Sequence, residues 1–236
     1  MNHLSVQHSL FTAHKNTVYT KTIILLVMVL CACPLAAQIT HTKNGDVDKN
    51  AQKILSSALK KIDNASSAVS FKVTLVSKNA EKKETARQTV QVLYSKGKYR
   101  VSADDQMLYS NGVDAWHWTK SNKEVVVSPL PASEDDLMNP ARLLANYSKN
   151  FRPKFIRVEN DGTAVIDLIP IRPKSYHKIR LLIVEKTGLL KKMEMHNYDS
   201  SCGEYIISDF KNAKASASDF VFDVAAHKDV EVIDMR

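Results

Sequence analysis

Glycine is rare in this chain, six residues in 236, and none of the six stands in a run that could wrap a phosphate group. A glycine-rich nucleotide loop is therefore excluded. Cysteine is rarer still, three residues, of which Cys31 and Cys33 fall inside an N-terminal apolar stretch. Cys202 is left alone, so the rest of the chain closes no internal disulfide and relies on a core or on strand pairing. Beyond that N-terminal stretch there is no apolar run of about eighteen residues, the length a membrane helix needs. Repeats, low-complexity segments and arginine-rich runs are also missing. Lys and Arg outnumber Asp and Glu by 33 to 25, but they are scattered and form no basic helix or recognition motif, so nucleic acid is not an expected partner. A mildly basic surface suits an acidic partner or anionic headgroups.

What is present begins with an address. Lys21 precedes the apolar run Thr22 to Ala32, and Cys33-Pro34-Leu35-Ala36-Ala37-Gln38 follows. This pattern predicts a signal peptide over 1–37, cleaved after Ala37, and one domain over 38–236. Cleavage takes the formal net charge from +8 to +6 over 199 residues. A competing reading uses Leu30-Cys31-Ala32-Cys33, close to the pattern at which exported bacterial proteins are lipidated; it would anchor the chain to a membrane through Cys33.

The domain opens with a predicted helix. Ala51, Ile54, Leu55, Ala58, Leu59 and Ile62 share one face, Asp48 is a good N-cap, and Lys60 and Lys61 suit the last turn. The apolar period then falls from about 3.6 to 2. Val69, Phe71, Val73 and Leu75 alternate with polar residues, and Lys78 to Arg87 reads as an exposed connection. Val90, Val92 and Tyr94, then Tyr99 and Val101, then Met107 and Tyr109 continue an antiparallel meander. Asn111-Gly112 is a favoured hairpin turn, and it delivers Trp116 and Trp118, both of the chain's tryptophans, to one face of one strand. That face is expected to point inward, leaving His117 on the outer surface. Asn139-Pro140 predicts a second helix with Leu143, Leu144, Tyr147 and Phe151 on its stripe. Strands resume from Phe155 to Lys211, about eleven in all, and Phe220-Val221-Phe222 and Val230 to Ile233 look ordered. The fold expected is mainly β: a strongly curved, incomplete antiparallel barrel with two to three helices over its concave side.

Catalytic patterns are weak. Ser57-x-x-Lys60, Ser148-x-Asn150 and Lys186-Thr187-Gly188 occur in the order used by penicillin-interacting serine enzymes, but strands occupy the interval where that fold needs a helical domain. Cys202 and His196 could form a thiol-imidazole pair, though Cys202 reads as part of a polar turn. His117 has no second ligand at metal-like spacing. Glu134, Asp135 and Asp136 read as helix-capping or solvated acids. No enzyme, cofactor or metal is expected.

The run GKYRVSADDQMLYSNGVDAWHW, then NPARLLANY, then DGTAVIDLIPIRPKSYHKIRLLIVEKTGLLKKMEMHNYDSSCGEYIISDFKN and DFVFD, resembles the outer-membrane lipoprotein carrier (LolA) family over about Asp48 to Asp234. The resemblance implies an eleven-stranded incomplete barrel whose apolar cavity holds the acyl chains of lipoproteins. It implies acylated lipoproteins as cargo, an inner-membrane ATP-driven exporter as donor and an outer-membrane receptor or membrane surface as acceptor. The carrier would be periplasmic and monomeric. Carried over by position, the cavity wall would comprise Phe71, Val73, Val90, Val92, Tyr99, Val101, Tyr109, Trp116 and Trp118, and the lid Leu143, Leu144 and Tyr147. One departure stands out. The resemblance implies an arginine on the second strand, just before the turn, that latches the lid; this chain has Tyr94-Ser95-Lys96-Gly97, leaving Arg100 or Lys96 as substitutes, or closure by apolar contact alone.

Overall fold

The computed structural model describes residues 48–63, 68–130 and 140–236. The expected signal peptide, Cys31 and Cys33, the acids Glu134 to Asp136 and the cap Asn139 lie outside these residues.

Helix α1 (Lys49–Asp63) starts where the sequence predicts. The Asp48 carboxylate accepts from the backbone N–H groups of Asn50 and Ala51 at 3.1 and 3.0 Å, satisfying donors that a helix start leaves open. Its other oxygen accepts from Phe155 N–H at 2.7 Å, which ties the helix to a sheet edge. Those bonds hold the Asp48 carboxyl below its ordinary value, the Ala51 and Phe155 amides leading.

Strands β1 (Ala68–Lys78), β2 (Glu84–Ser95), β3 (Lys98–Ser102), β4 (Gln106–Ser110), β5 (Asp114–Thr119) and β6 (Glu124–Pro129) form the first meander. Helix α2 (Pro140–Asn150) interrupts it, and β7 (Phe151–Val158), β8 (Thr163–Pro170), β9 (Tyr176–Val184), β10 (Leu189–Asn197) and β11 (Cys202–Ala213) form the second. The two meanders join where β1 pairs with β11, from Ala68↔Ala213 to Lys78↔Cys202. A short 3₁₀ turn (Ala217–Phe220) and β12 (Glu231–Asp234) complete the chain. All strands belong to one open, curled sheet in the order β12-β6-β5-β4-β3-β2-β1-β11-β10-β9-β8-β7.

Three expectations need adjustment. Of Lys78 to Arg87 only 79–83 are a connection, because β1 and β2 extend to Lys78↔Glu84 as a solvent-exposed ribbon. Phe151 opens β7 instead of ending the second helix. A twelfth strand exists, and it is parallel: β12 pairs with β6 from Glu231↔Glu124 to Asp234↔Val127.

The helices bury their apolar stripes on the second meander. Leu55 and Ala58 of α1 and Leu143 and Leu144 of α2 pack with Ile166, Leu168, Ile179, Leu181 and Ile183. The β9–β10 turn reaches α1 through Gly188, where a Cβ would stand 2.7 Å from the Ser57 carbonyl oxygen. Its φ of +69° also favours glycine.

Candidate functional site

Residues directly opposed in an antiparallel ladder point to the same face, so the register assigns every side chain of the first meander to a side. One face runs Phe71↔Val92↔Val101↔Leu108↔His117↔Val126. The other runs Leu93↔Arg100↔Tyr109↔Trp116↔Val127, with Met107↔Trp118↔Val125 beside it. The expected cavity wall is therefore two separate surfaces.

The first surface holds six of the nine expected residues. Phe71, Val90, Val92, Tyr99 and Val101 are buried together with Val69 and Tyr94, and Val73 bridges this cluster to the one beneath the helices. It is the same side of the sheet as the helices, and Ile62 at the end of α1 packs against it. The expected lid residues Leu143 and Leu144 are buried and Tyr147 is half-buried in the neighbouring cluster on the second meander; burial pushes the Tyr147 hydroxyl up.

Tyr109, Trp116 and Trp118 lie on the opposite face, which corrects the inward placement of the tryptophans. They form a separate small core with Val125, Val127 and Phe222. Phe222 and His227 of the C-terminal segment close over Trp118 at centroid distances of 5.2 and 4.7 Å. His117 consequently points to the helix-facing side instead of the outer surface. It is half-buried there, within 3.4 Å of Gln106 Oε1, and burial lowers its pKa. Arg100 shares the Trp116 face and pairs with Asp219 at 3.4 Å, so it fastens the C-terminal segment and does not substitute for a lid latch. Lys96 sits exposed in the β2–β3 turn with φ +47°.

At the seam between the two helix-facing clusters lies a cavity of about 20 Å³, lined by Ile62, Val69, Phe71, Leu190, Ile207 and Phe210, with Lys61 and Tyr94 at its margin. Of these only Phe71 was expected as wall. Ile62 is the last member of the α1 stripe, a signal the sequence carries plainly. Phe210 is different. The alternation of Tyr205 and Ile207 would turn it outward, but Asp209 adopts φ +54° and the β1–β11 register shifts between Ser70 and Lys72. That bulge brings Phe210 back to the inner face, where its ring stacks on Phe71 at 5.9 Å and 18°.

The outer face of the second meander is a ladder of compensated charge. Arg180 donates to both oxygens of Asp167 at 2.7 and 2.9 Å, and Lys178 adds a contact at 3.3 Å. Burial raises the Asp167 pKa, but these two cations prevail and hold it low. Lys192 bridges Glu194 and Glu204, and Lys78 reaches Glu204 at 2.6 Å. Cys202 opens β11 directly opposite His196, so it is a buried strand residue and not part of a polar turn. Burial raises the thiol and lowers the imidazole; both are therefore neutral near pH 7, and the pair is not an activated nucleophile. Ser57 packs against the Gly188 turn while Lys60 and Ser148 are exposed, so close helix-on-turn packing accounts for the first and third serine-enzyme patterns. Among the described residues no group of three or more His, Cys, Asp or Glu could hold a metal, and no helix is long and apolar enough to cross a membrane.

The fold and site define an open, curled, mainly antiparallel sheet whose apolar inner face lies under a helical lid. An uncharacterized conserved protein from Thermus thermophilus has this fold: 13% identity over 79% of this chain and 99% of that one, TM-score 0.54. Similar solved structures also include a LolA superfamily protein from Nitrosomonas europaea (18% identity, 73% and 98% coverage, TM-score 0.42). An outer membrane lipoprotein-sorting protein domain from Vibrio parahaemolyticus is another (15% identity, 76% and 99% coverage, TM-score 0.41). At these identities the likeness is one of fold. By sequence, no protein-family model and no curated protein matches the chain.

Proposed function

We propose that this chain is a periplasmic carrier of the LolA type, which shelters the acyl chains of lipoproteins beneath α1 and α2 while they move from an inner-membrane exporter to the outer membrane. The observation that carries the reading is the apolar seam cavity under the end of α1, continuous with apolar side chains on both sides.

The energetics fit a carrier that must both load and release. Each buried methylene is worth about 0.8 kcal/mol, so a sixteen-carbon chain in water costs roughly 12 kcal/mol. A cavity of about 20 Å³ has room for about one water. An acyl chain must therefore push the helices aside. Ile62 lines the cavity and Leu55, Leu143 and Leu144 fill the adjoining core; displacing them offsets part of the gain. Net affinity stays well below gross burial.

The test uses a synthetic tripalmitoylated lipopeptide and its deacylated peptide, offered to detergent-free protein. Binding of the first and not the second is expected. Leu143→Glu should weaken uptake by more than its effect on unfolding accounts for. Absence of lipopeptide binding to the wild-type chain overturns the proposal.

A further inference from the structure

The seam cavity lies toward one end of the sheet, and the topology collects lysines there. The ladders Ala68↔Ala213 and Ser95↔Lys98 terminate at this end, α1 finishes there, and Gly188 and Leu189 of the β9–β10 turn line the same cavity. Lys60 and Lys61 lie in the last turn of α1, Lys96 in the β2–β3 turn, Lys186 in the β9–β10 turn, and Lys211 and Lys214 at the exit of β11. All six are exposed. Of the acids at this end, Asp209 is held by Lys72 at 2.7 Å and Asp219 by Arg100, while Glu185 beside Lys186 is exposed; lysines outnumber it. None of the six lysines forms an ion pair among the described residues. Lys61 is the one that reaches the cavity itself, its Nζ 6.0 Å from the centroid of Phe210, the ring that stacks on Phe71.

We infer that this rim selects the headgroup. The preferred ligand is an amphiphile whose acyl chain enters between Phe71, Ile62 and Ile207 and whose phosphate or carboxylate sits at Lys61, with the other lysines supplying a favourable field. This rests on the acyl-carrier reading and narrows its ligand class. An apolar slot alone would not discriminate between neutral and anionic lipids. An ammonium group on its lining, with further lysines at the same end of the sheet, does, because attraction to an anion gains strength beside a low-dielectric wall.

The experiment measures displacement of N-phenyl-1-naphthylamine, a neutral apolar probe, by 1-palmitoyl lysophosphatidic acid and by 1-monopalmitoylglycerol, which share the chain and differ in charge. At about 0.05 M salt the anionic lipid should displace the probe at about tenfold lower concentration, and the gap should shrink at about 0.5 M. Lys61→Glu should bring the ratio close to one, and Lys61→Gln should fall between. Equal potency of the two lipids on the wild-type protein would overturn headgroup selection while leaving the acyl-carrier reading intact. Failure of both lipids to displace the probe would overturn the carrier reading. Displacement by inorganic phosphate alone would mark an anion patch with no chain slot and would overturn the inference.

Discussion

Replacing Gly188 by alanine tests how tightly the lid is seated. The added Cβ would stand 2.7 Å from the Ser57 carbonyl oxygen, 2.9 Å from its carbonyl carbon and 3.0 Å from Oγ. The first two are backbone atoms in the middle of α1 and cannot swing away, so the helix or the β9–β10 turn must shift. The residue also has φ +69°, which costs a side-chain-bearing residue about 1–2 kcal/mol. Overpacking adds about 1–3 kcal/mol, giving a loss of about 2–5 kcal/mol. For a domain of this size that is a fall in Tm of about 5–15 °C. Gly162→Ala is the control, because Gly162 has φ +76° but nothing within 4 Å of its Cβ position; it should show the conformational cost alone. Thermal unfolding followed by circular dichroism, with urea titrations for the free energies, separates the two. Equal destabilisation of the two variants would refute the claim that the backbone of the turn packs closely on the backbone of α1 at this point.

Asp48→Asn should destabilise the fold, and Asp48→Ala more so, by about 1–3 kcal/mol, since the side chain serves both the start of α1 and the Phe155 amide. Because the folded pKa of Asp48 lies below its ordinary 3.8, its contribution is complete above that value and is lost as pH falls through the lowered one. Acid unfolding curves of wild type and Asp48→Asn should therefore converge at low pH. Removing residues 217–236 should uncover Trp118, seen as a red shift of tryptophan emission. Acyl-ligand binding to the full chain should leave that emission unchanged, because the rings sit across the sheet from the cavity.

The position of α1, the second helix and most strand boundaries follow from periodicity and from caps such as Asp48. Which face a strand residue occupies does not. From β2 to β6 every hairpin pairs an odd-numbered residue with an even-numbered one, so Val101 meets Leu108 and the inner face passes to His117, bypassing Tyr109 and Trp116. Size and apolarity argued for an inward Trp116, and that argument holds only where a single core exists. Here Phe222 and the C-terminal segment build a second one outside. Phe210 escaped notice for a related reason: its face depends on the bulge at Asp209, which alternation cannot reveal.

The order of strands in the sheet also sets a timetable. When the chain is delivered N-terminus first, β1 to β6 can zip by local hairpins at once, yet both flanks of that ribbon stay open. The partner of β1 is β11 and the partner of β6 is β12, and both are supplied by residues 202–234. Closing these loops over long sequence distances is slow compared with hairpin formation. Until the final segments arrive, Val125 to Val127 present an unguarded template to neighbouring chains. The nascent molecule is thus most prone to misassociation between the making of β6 and the arrival of β12, whose pairing ends that period.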